Sequence, residues 1–430
     1  MTSPQVPRIL TIMGSGETAP TMVTTHRSLV ARIPGDVNAV VIDTPFGFQE
    51  NAADLAARAA EYFHTSIKIE LHIPHLTRFH DTHIPADTVA IERGLNMLDK
   101  SNYVFAGPGS PTYALRQWKD TPVADVICNK LRTGGIVTFA SAAAVTLGKY
   151  AVPVYEIYKV GQDVHRLDGL DILSAIGINA VVIPHYDNTE GANHDTRFCY
   201  LGETRLQLFE ELLDPDTYVL GVDEHTGLVI DIDAGEATVV GNGTVTLRVR
   251  GASQVFPTGS QIPIHTLQDP SNHSDTTHTT HSTPAPRAAQ DAPTNSASTK
   301  VASLRDVADL HKRDFDTAIS ERDADTALRA CLDLENAIHE WSRDTLQGDD
   351  SDHARATLRL MITQLGDAAQ TGVRDPRDVV APWVDALLSI RAIVRAEKRY
   401  DLSDLIRDVF AEHKIEVRDT PNGVEWELRQ

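Results

Sequence analysis

One stretch constrains this chain more than any other. From His265 to Lys300 it reads HTLQDPSNHSDTTHTTHSTPAPRAAQDAPTNSASTK, rich in Ser, Thr, Pro, Asn and His and nearly empty of large apolar side chains. Such a segment cannot bury enough surface to offset the entropy of ordering it, so a disordered linker is expected. It divides the 430 residues into blocks 1–264 and 301–430. Each block is long enough to build its own core. Hydrophobic residues at 41% and charged residues at 23% are ordinary globular values, so both blocks should fold.

The first block alternates short apolar runs with amphipathic stretches. RILTIMG (8–14), NAVVIDTP (38–45), NYVFAGPG (102–109), GGIVTFAS (134–141) and NAVVIPHY (179–186) are β-branched runs bounded by Gly or Pro. They predict buried strands. Residues 49–64 and 86–98 predict helices between them. The alternation points to an α/β fold with a doubly wound, largely parallel sheet. Residues 218–231, 237–240 and 244–250 read as further strands joined by turns, at an antiparallel edge.

The second block is helical in pattern. Residues 301–343, 352–371 and 378–397 carry apolar side chains at three- and four-residue spacing, which predicts a separate all-α bundle. A short helix over 400–413 precedes IEVRDTPNGVEWEL (415–428), a small hairpin around Pro421-Asn422-Gly423.

Charge limits function. The net charge is −21, with −9 from Val301 onward and −12 before it, so neither block is a polyanion binder by bulk charge. No apolar run reaches the length of a membrane span. Met1-Thr2-Ser3-Pro4 lacks the basic, apolar start of a signal peptide, and Cys128, Cys199 and Cys331 lie too far apart to suggest a disulfide framework. A cytoplasmic protein is expected.

Four features of the first block could carry chemistry. Strand GGIVTF runs into Ala140-Ser141-Ala142-Ala143-Ala144, which would present a serine where a doubly wound sheet forms its crevice. Gly107-Pro108-Gly109-Ser110 could bring backbone amides to a developing oxyanion. His185 ends a strand and could act as a base, and Glu156 is an acid in the apolar stretch VPVYEIYKVG that could orient it. Packing at a helix start, a plain loop, a surface histidine and a buried acid with another partner explain the same residues. In GSGETAPTM (14–22), Gly16 and Glu17 are candidate crevice-wall residues, with Ser110. The full dinucleotide fingerprint is absent and no cofactor is expected. His72, His75, His80 and His83, and His185, Asp187, His194 and Asp195, lack diagnostic ligand spacing, so no metal is expected. Cys199 reads as packing, and His278 and His281 as part of the linker.

Together these segments resemble the peptidase E and cyanophycinase group of serine hydrolases, which have a class I glutamine amidotransferase-like fold. GPGSPTYAL (107–115) is similar to the family's Gly-Gly-Gly-Asn loop, and FASAAA (139–144) to its Gly-x-Ser-Ala-Gly-Ala elbow. VIPHYDN (182–188) is similar to its histidine segment, and GVDEHTGLVI (221–230) to its Gly-Ile-Asp-Glu-x-Thr-Ala segment. Phe139 and Ala143 stand where the elbow has glycines, and Ser110 where the loop has Asn. The resemblance implies Ser141 as nucleophile, His185 as base, Glu156 as triad acid, and Gly109 and Ala142 as oxyanion donors.

The second block ends in DLSDLIRDVFAEHKIEVRDTPNGVEWEL (401–428), which resembles the C-terminal end of cysteinyl-tRNA synthetases. Ile415, Val417, Asp419, Thr420, Pro421, Gly423 and Trp426 match in order, and residues 315–341 are similar to the start of that family's DALR bundle. No Lys-Met-Ser-Lys-Ser-like loop exists, and His72-Ile73-Pro74-His75 has Pro where a His-Ile-Gly-His signature has Gly. The resemblance therefore implies an appended tRNA-binding-type domain without ligase activity. Its candidate RNA contacts are Arg391, Arg395, Lys398 and Arg399, spaced three and four apart. The function expected is cleavage of an amide bond in a small peptide or amino-acid conjugate, with tRNA as a candidate partner. The alternative is a catalytically inactive protein that docks tRNA or a protein.

Overall fold

Four strand runs of the first block form one side of an eight-stranded sheet, with a short added strand at its edge. The runs give β1 (Arg8–Met13), β2 (Ala39–Ile42), β4 (Tyr103–Ala106) and β5 (Gly135–Ala140), and the added strand is β3 (Leu71–His72). In the computed structural model they lie parallel in the order β1-β5-β4-β2-β3. The structure describes residues 5–80, 87–189, 194–270, 303–341, 349–371, 376–420 and 423–429. Two compact units are present: Met1–Ser303 with His339–Ser351, and Leu304–Ile338 with Asp352–Gln430.

Successive residues of each parallel strand feed opposite faces, which is why the runs are continuously apolar. Leu10, Ile12, Val104 and Val137 enter one core cluster, and Ile9, Val41, Tyr103 and Ile136 the other. Helices α1 (Val23–Val30), α2 (Ala52–Tyr62), α3 (Thr88–Lys100), α4 (Pro111–Trp118) and α5 (Val123–Thr133) connect the strands. The short helices α6 (Ser141–Val145) and α7 (Val154–Tyr158) follow β5, the second after strand β6 (Tyr150–Ala151), which pairs with β7 (Leu167–Asp168).

A second sheet contains β8 (Ala180–Ile183) and β9 (Tyr218–Val222), which are parallel, with helix α8 (Gly202–Glu211) between them. The chain then crosses back. Strand β10 (Thr226–Asp231) pairs antiparallel with β1, and β11 (Glu236–Gly241) continues the first sheet. Strands β12 (Thr244–Val249) and β13 (Ala252–Pro257) complete the second, and β14 (Gln261–Pro263) closes the edge of the first. The single stretch 218–231 is therefore two strands in two sheets, broken at Asp223–His225. Helix α9 (Ile264–Gln268) extends the fold past residue 264, with Leu267 buried and its carbonyl accepting from Tyr218 Oη at 2.7 Å. The rest of the expected linker, 271–300, lies outside the described residues, with His278 and His281.

In the second unit the stretch 301–343 is two helices, α10 (Leu304–Ser320) and α11 (Ala324–Trp341). The break has Arg322 at φ 60° and Asp323 Oδ1 accepting from Thr326 N at 3.0 Å, an N-cap that periodicity alone does not reveal. Helices α12 (Asp349–Thr371), α13 (Pro376–Ala396) and α14 (Tyr400–Glu412) follow, then a hairpin of β15 (Ile415–Thr420) and β16 (Gly423–Leu428). Pro421 and Asn422 lie outside the described residues. Val384, Leu388, Phe410 and Ile415 form a core against Trp426.

One buried group ties the first sheet to the loop after β1. His26 is fully buried, its Nε2–H donates to the Glu17 carbonyl at 2.8 Å, and its Nδ1 accepts from Tyr103 Oη at 2.7 Å. Burial lowers its pKa to about 4, against the opposing Glu17 bond. The unfolded chain therefore takes up this proton first as the pH falls from about 6.5 towards about 4. Stability from His26 is complete above that window and lost through it, on the order of 3 kcal/mol in all. Urea unfolding near neutral pH and at about pH 5 should show a smaller acid loss in His26→Phe than in the parent chain. Equal losses would refute the linkage.

Candidate active site

Ser141 is placed by the end of β5. Strand β5 is buried along its whole length, and the next residue, Ser141, takes φ 47° as the first residue of α6. The left-handed turn points the side chain away from the sheet. Phe139, where the family elbow has glycine, instead faces the core and packs on Trp118 at 6.1 Å between ring centres. Ala143 is an ordinary helical residue and is absent from the positive-φ positions. The turn asks for left-handed backbone at the serine itself, so neither departure disturbs it.

His185 follows β8 with φ 48°, and its Nε2 lies 3.0 Å from Ser141 Oγ. Its Nδ1 lies 2.9 Å from Glu224 Oε1. A carboxylate only accepts, so Nδ1 carries the proton and Nε2 is left to accept from the serine hydroxyl. Serine and histidine are nearly closed to solvent, at 7% and 9% exposure.

The acid expected at Glu156 is not the one that meets the imidazole. Glu156 lies on α7, its Oε2 buried without a hydrogen-bond partner, while the Nδ1 proton is taken by Glu224. Glu224 sits in the bend between β9 and β10, fixed from several sides. Its N–H donates to Asp187 Oδ1 at 2.7 Å, its carbonyl accepts from Thr226 Oγ1 at 2.9 Å, and its Oε1 also accepts from Asn188 Nδ2 at 3.3 Å. Next to it, Asp223 Oδ2 accepts from Thr244 N at 2.7 Å and His225 N donates to Ser15 Oγ at 3.1 Å. Burial raises the Glu224 carboxyl, but hydrogen bonds and charge from His185, with Asn188 and His225, hold it below the ordinary range. Asp187 is pushed up to about 6 by desolvation and by the charges of Asp223 and Glu224. The Glu224 signal was present in Asp223-Glu224-His225, three polar residues interrupting an apolar strand run.

The Gly107–Ser110 loop lies beside the serine, because Ala143 N donates to the Gly107 carbonyl at 3.2 Å. Gly109 has φ 141°, and a Cβ there would meet Pro45 O at 2.1 Å, so glycine is required. Ala142 follows Ser141 in the first turn of α6. Ser110 serves as N-cap of α4, accepting from Tyr113 N at 3.1 Å. Gly16, at φ 68°, lies against the His225 ring, while Glu17 is fully buried with Oε1 beside Gly107. Cys199 is buried, and burial pushes its thiol up to about 12. Among the described residues no three His, Cys, Asp or Glu side chains group as metal ligands. His83 lies outside them.

In the second unit the candidate RNA contacts separate. Arg391 has 3% of its side chain exposed and pairs twice with Asp419, at 2.8 and 3.0 Å, and Arg395 pairs with the same carboxylate at 2.5 Å. Both hold the hairpin to α13. Arg399 reaches Asp401 at 3.4 Å, and Lys398, at φ 61°, ends the turn after α13 with its side chain exposed.

No family model matches the chain. Cysteine–tRNA ligases are similar in sequence over part of it. That of Porphyromonas gingivalis is 31% identical over 133 residues, 29% of this chain and 26% of the ligase. That of Salinibacter ruber is 31% identical over 132 residues, 28% of this chain and 25% of the ligase. The chain thus spans about a quarter of the length of these curated relatives. Among solved structures, a peptidase from an acI-B1 Actinobacterium is 20% identical with a TM-score of 0.48, covering 60% of this chain and 98% of that one. A putative peptidase E protein from Listeria monocytogenes is 13% identical with a TM-score of 0.36, covering 55% and 99%. The sequence likeness to cysteine–tRNA ligases is thus confined to less than a third of the chain.

Proposed function

We propose that the α/β unit is a serine hydrolase that cleaves an amide bond in a small peptide or amino-acid conjugate. One observation carries the reading: Ser141 Oγ, His185 Nε2, His185 Nδ1 and Glu224 Oε1 form one line of contacts of 3.0 and 2.9 Å. In this reading Ser141 attacks the acyl carbon while His185 Nε2 takes the hydroxyl proton. Glu224 holds the imidazole and balances the positive charge it gains. The Gly109 and Ala142 amides receive the oxyanion. The C–N bond breaks as His185 gives its proton to the leaving amine. Water, activated by the same imidazole, then releases the acyl group and restores the serine.

The test is labelling by a fluorophosphonate probe, together with hydrolysis of a panel of short peptides and aminoacyl conjugates. Ser141→Ala should lose both. Glu224→Gln should lower the rate by about 10³- to 10⁴-fold, since the imidazole then loses its carboxylate. Glu156→Gln should stay within about tenfold of the parent. Full turnover in Ser141→Ala, or a larger loss at Glu156 than at Glu224, would sink the assignment.

The likeness to cysteine–tRNA ligases supports a second reading, in which the helical unit contacts tRNA without ligating it. With Arg391 and Arg395 engaged by Asp419, the contact runs through few phosphates and is salt-sensitive. Filter retention of total tRNA should be measurable at low salt, fall with a shallow slope as salt rises, and drop further in Lys398→Glu. No retention at low salt would leave the helical unit as a protein-docking or structural module.

A further inference from the structure

Three consecutive side-chain-bearing residues, Phe198, Cys199 and Tyr200, have φ of 61°, 53° and 66°. Left-handed backbone costs roughly 1–2 kcal/mol per residue for L-amino acids and normally occurs singly, not in runs. The turn closes on itself: Tyr200 N donates to Thr196 O at 2.9 Å, Leu201 N to Phe198 O at 3.2 Å and Gly202 N to Arg197 O at 2.9 Å. Two of its N–H groups point elsewhere. Phe198 N donates to Tyr186 O at 2.9 Å and Cys199 N to His185 O at 3.0 Å. The His185 carbonyl also accepts from Asn188 N at 3.2 Å. Successive amides of a strained turn thus hold the carbonyls of Tyr186 and of His185, itself left-handed.

Side chains offset the strain. The Phe198 ring lies 4.5 Å from that of Tyr186, with the guanidinium groups of Arg197 and Arg248 at 5.0 and 5.6 Å. Arg248 is buried and fixed by Glu203 at 2.7 Å and Glu210 at 3.0 Å, both on α8. Tyr200 stacks on Tyr158 at 4.9 Å.

We infer that the Phe198–Tyr200 turn is a positioning element for His185, with Phe198 as the residue that seats it. The inference rests on the Ser141–His185–Glu224 reading. Strained backbone persists where the surroundings over-determine it, and here they aim one imidazole at one hydroxyl.

The experiment follows the low-field proton resonance of a histidine N–H held on a carboxylate, in the full chain, beside the rate of fluorophosphonate labelling. The parent chain should show the resonance, and His185→Gln and Glu224→Gln should abolish it. Phe198→Ala should broaden or abolish it and slow labelling about 10- to 100-fold at a temperature where urea unfolding shows the unit still folded. Phe198→Tyr, which keeps the ring, should restore both, and Phe198→Leu replaces the alanine variant if that one does not fold. A parent-like resonance and labelling rate in the folded Phe198 variants would overturn the positioning role and leave the triad intact. Labelling that survives Ser141→Ala would instead overturn the triad reading.

Discussion

His185 Nδ1 donates to Glu224 Oε1 across the seam between the two sheets of the α/β unit, and the neighbouring groups take their places from that seam. Ser141 leaves the first sheet at the end of β5, and His185 leaves the second at the end of β8. Glu224 lies where the chain crosses from β9 in the second sheet to β10 in the first. The register of β10 against β1 fixes one side of the crossing, with Met13 opposite Gly227. The register of β9 against β8 fixes the other, with Ile183 opposite Gly221. A one-residue slip in either pairing would reverse which side chains face the seam.

Where the chain leaves these sheets it adopts left-handed backbone at residues other than glycine. Ser141, His185 and His225 have φ of 47°, 48° and 49°. Each lies just beyond a strand or just before one, so a sharp reversal there sends a polar side chain into the seam instead of along the sheet. The surrounding hydrogen bonds supply what the conformation costs. Asp187, Asp223, Ser15 and Asn188 hold the bends through backbone amides or through Glu224 itself. A polar network of this kind is stabilising when its members are satisfied, and it rigidifies the groups it joins.

Much of the α/β unit was legible because its strands are buried on both faces and stand out as unbroken apolar runs. Ser141 and His185 stood out as polar residues ending such runs, but their proposed roles came from the family resemblance, and the structure adds only that their side chains meet at 3.0 Å. Glu224 was not assigned, because an apolar run on each side of Asp223–His225 reads as one strand. Only pairing to two different sheets separates them. Glu156 attracted the role because an acid in an apolar stretch calls for a partner, but spacing along the chain does not say which imidazole nitrogen it can reach. The end of the fold was also misplaced. Residues 265–268 look like linker by composition, yet they bury Leu267 against the second sheet.

The second unit shows the same limit for charge. Arg391 and Arg395 have the four-residue spacing of a basic helix face, and by sequence that face could look outward. The hairpin decides otherwise. Asp419 on β15 brings one carboxylate to both guanidinium groups, and Arg391 is nearly closed to solvent. The two arginines hold Asp419 well below the usual carboxylate range, through their hydrogen bonds first and their charge second. An ion pair so engaged orients the hairpin on α13 and adds no positive field outside it. Asp419 and Arg395 stay nearly half exposed, so solvent screens the attraction and its clearest structural consequence is registry. Among the described cations from Leu304 onward only Arg391 is buried, and its charge is matched by Asp419. Among the described residues Arg313, Arg322, Arg355, Arg359, Lys398 and Lys414 are exposed and outside any ion pair, and a polyanion would meet these cations on this unit.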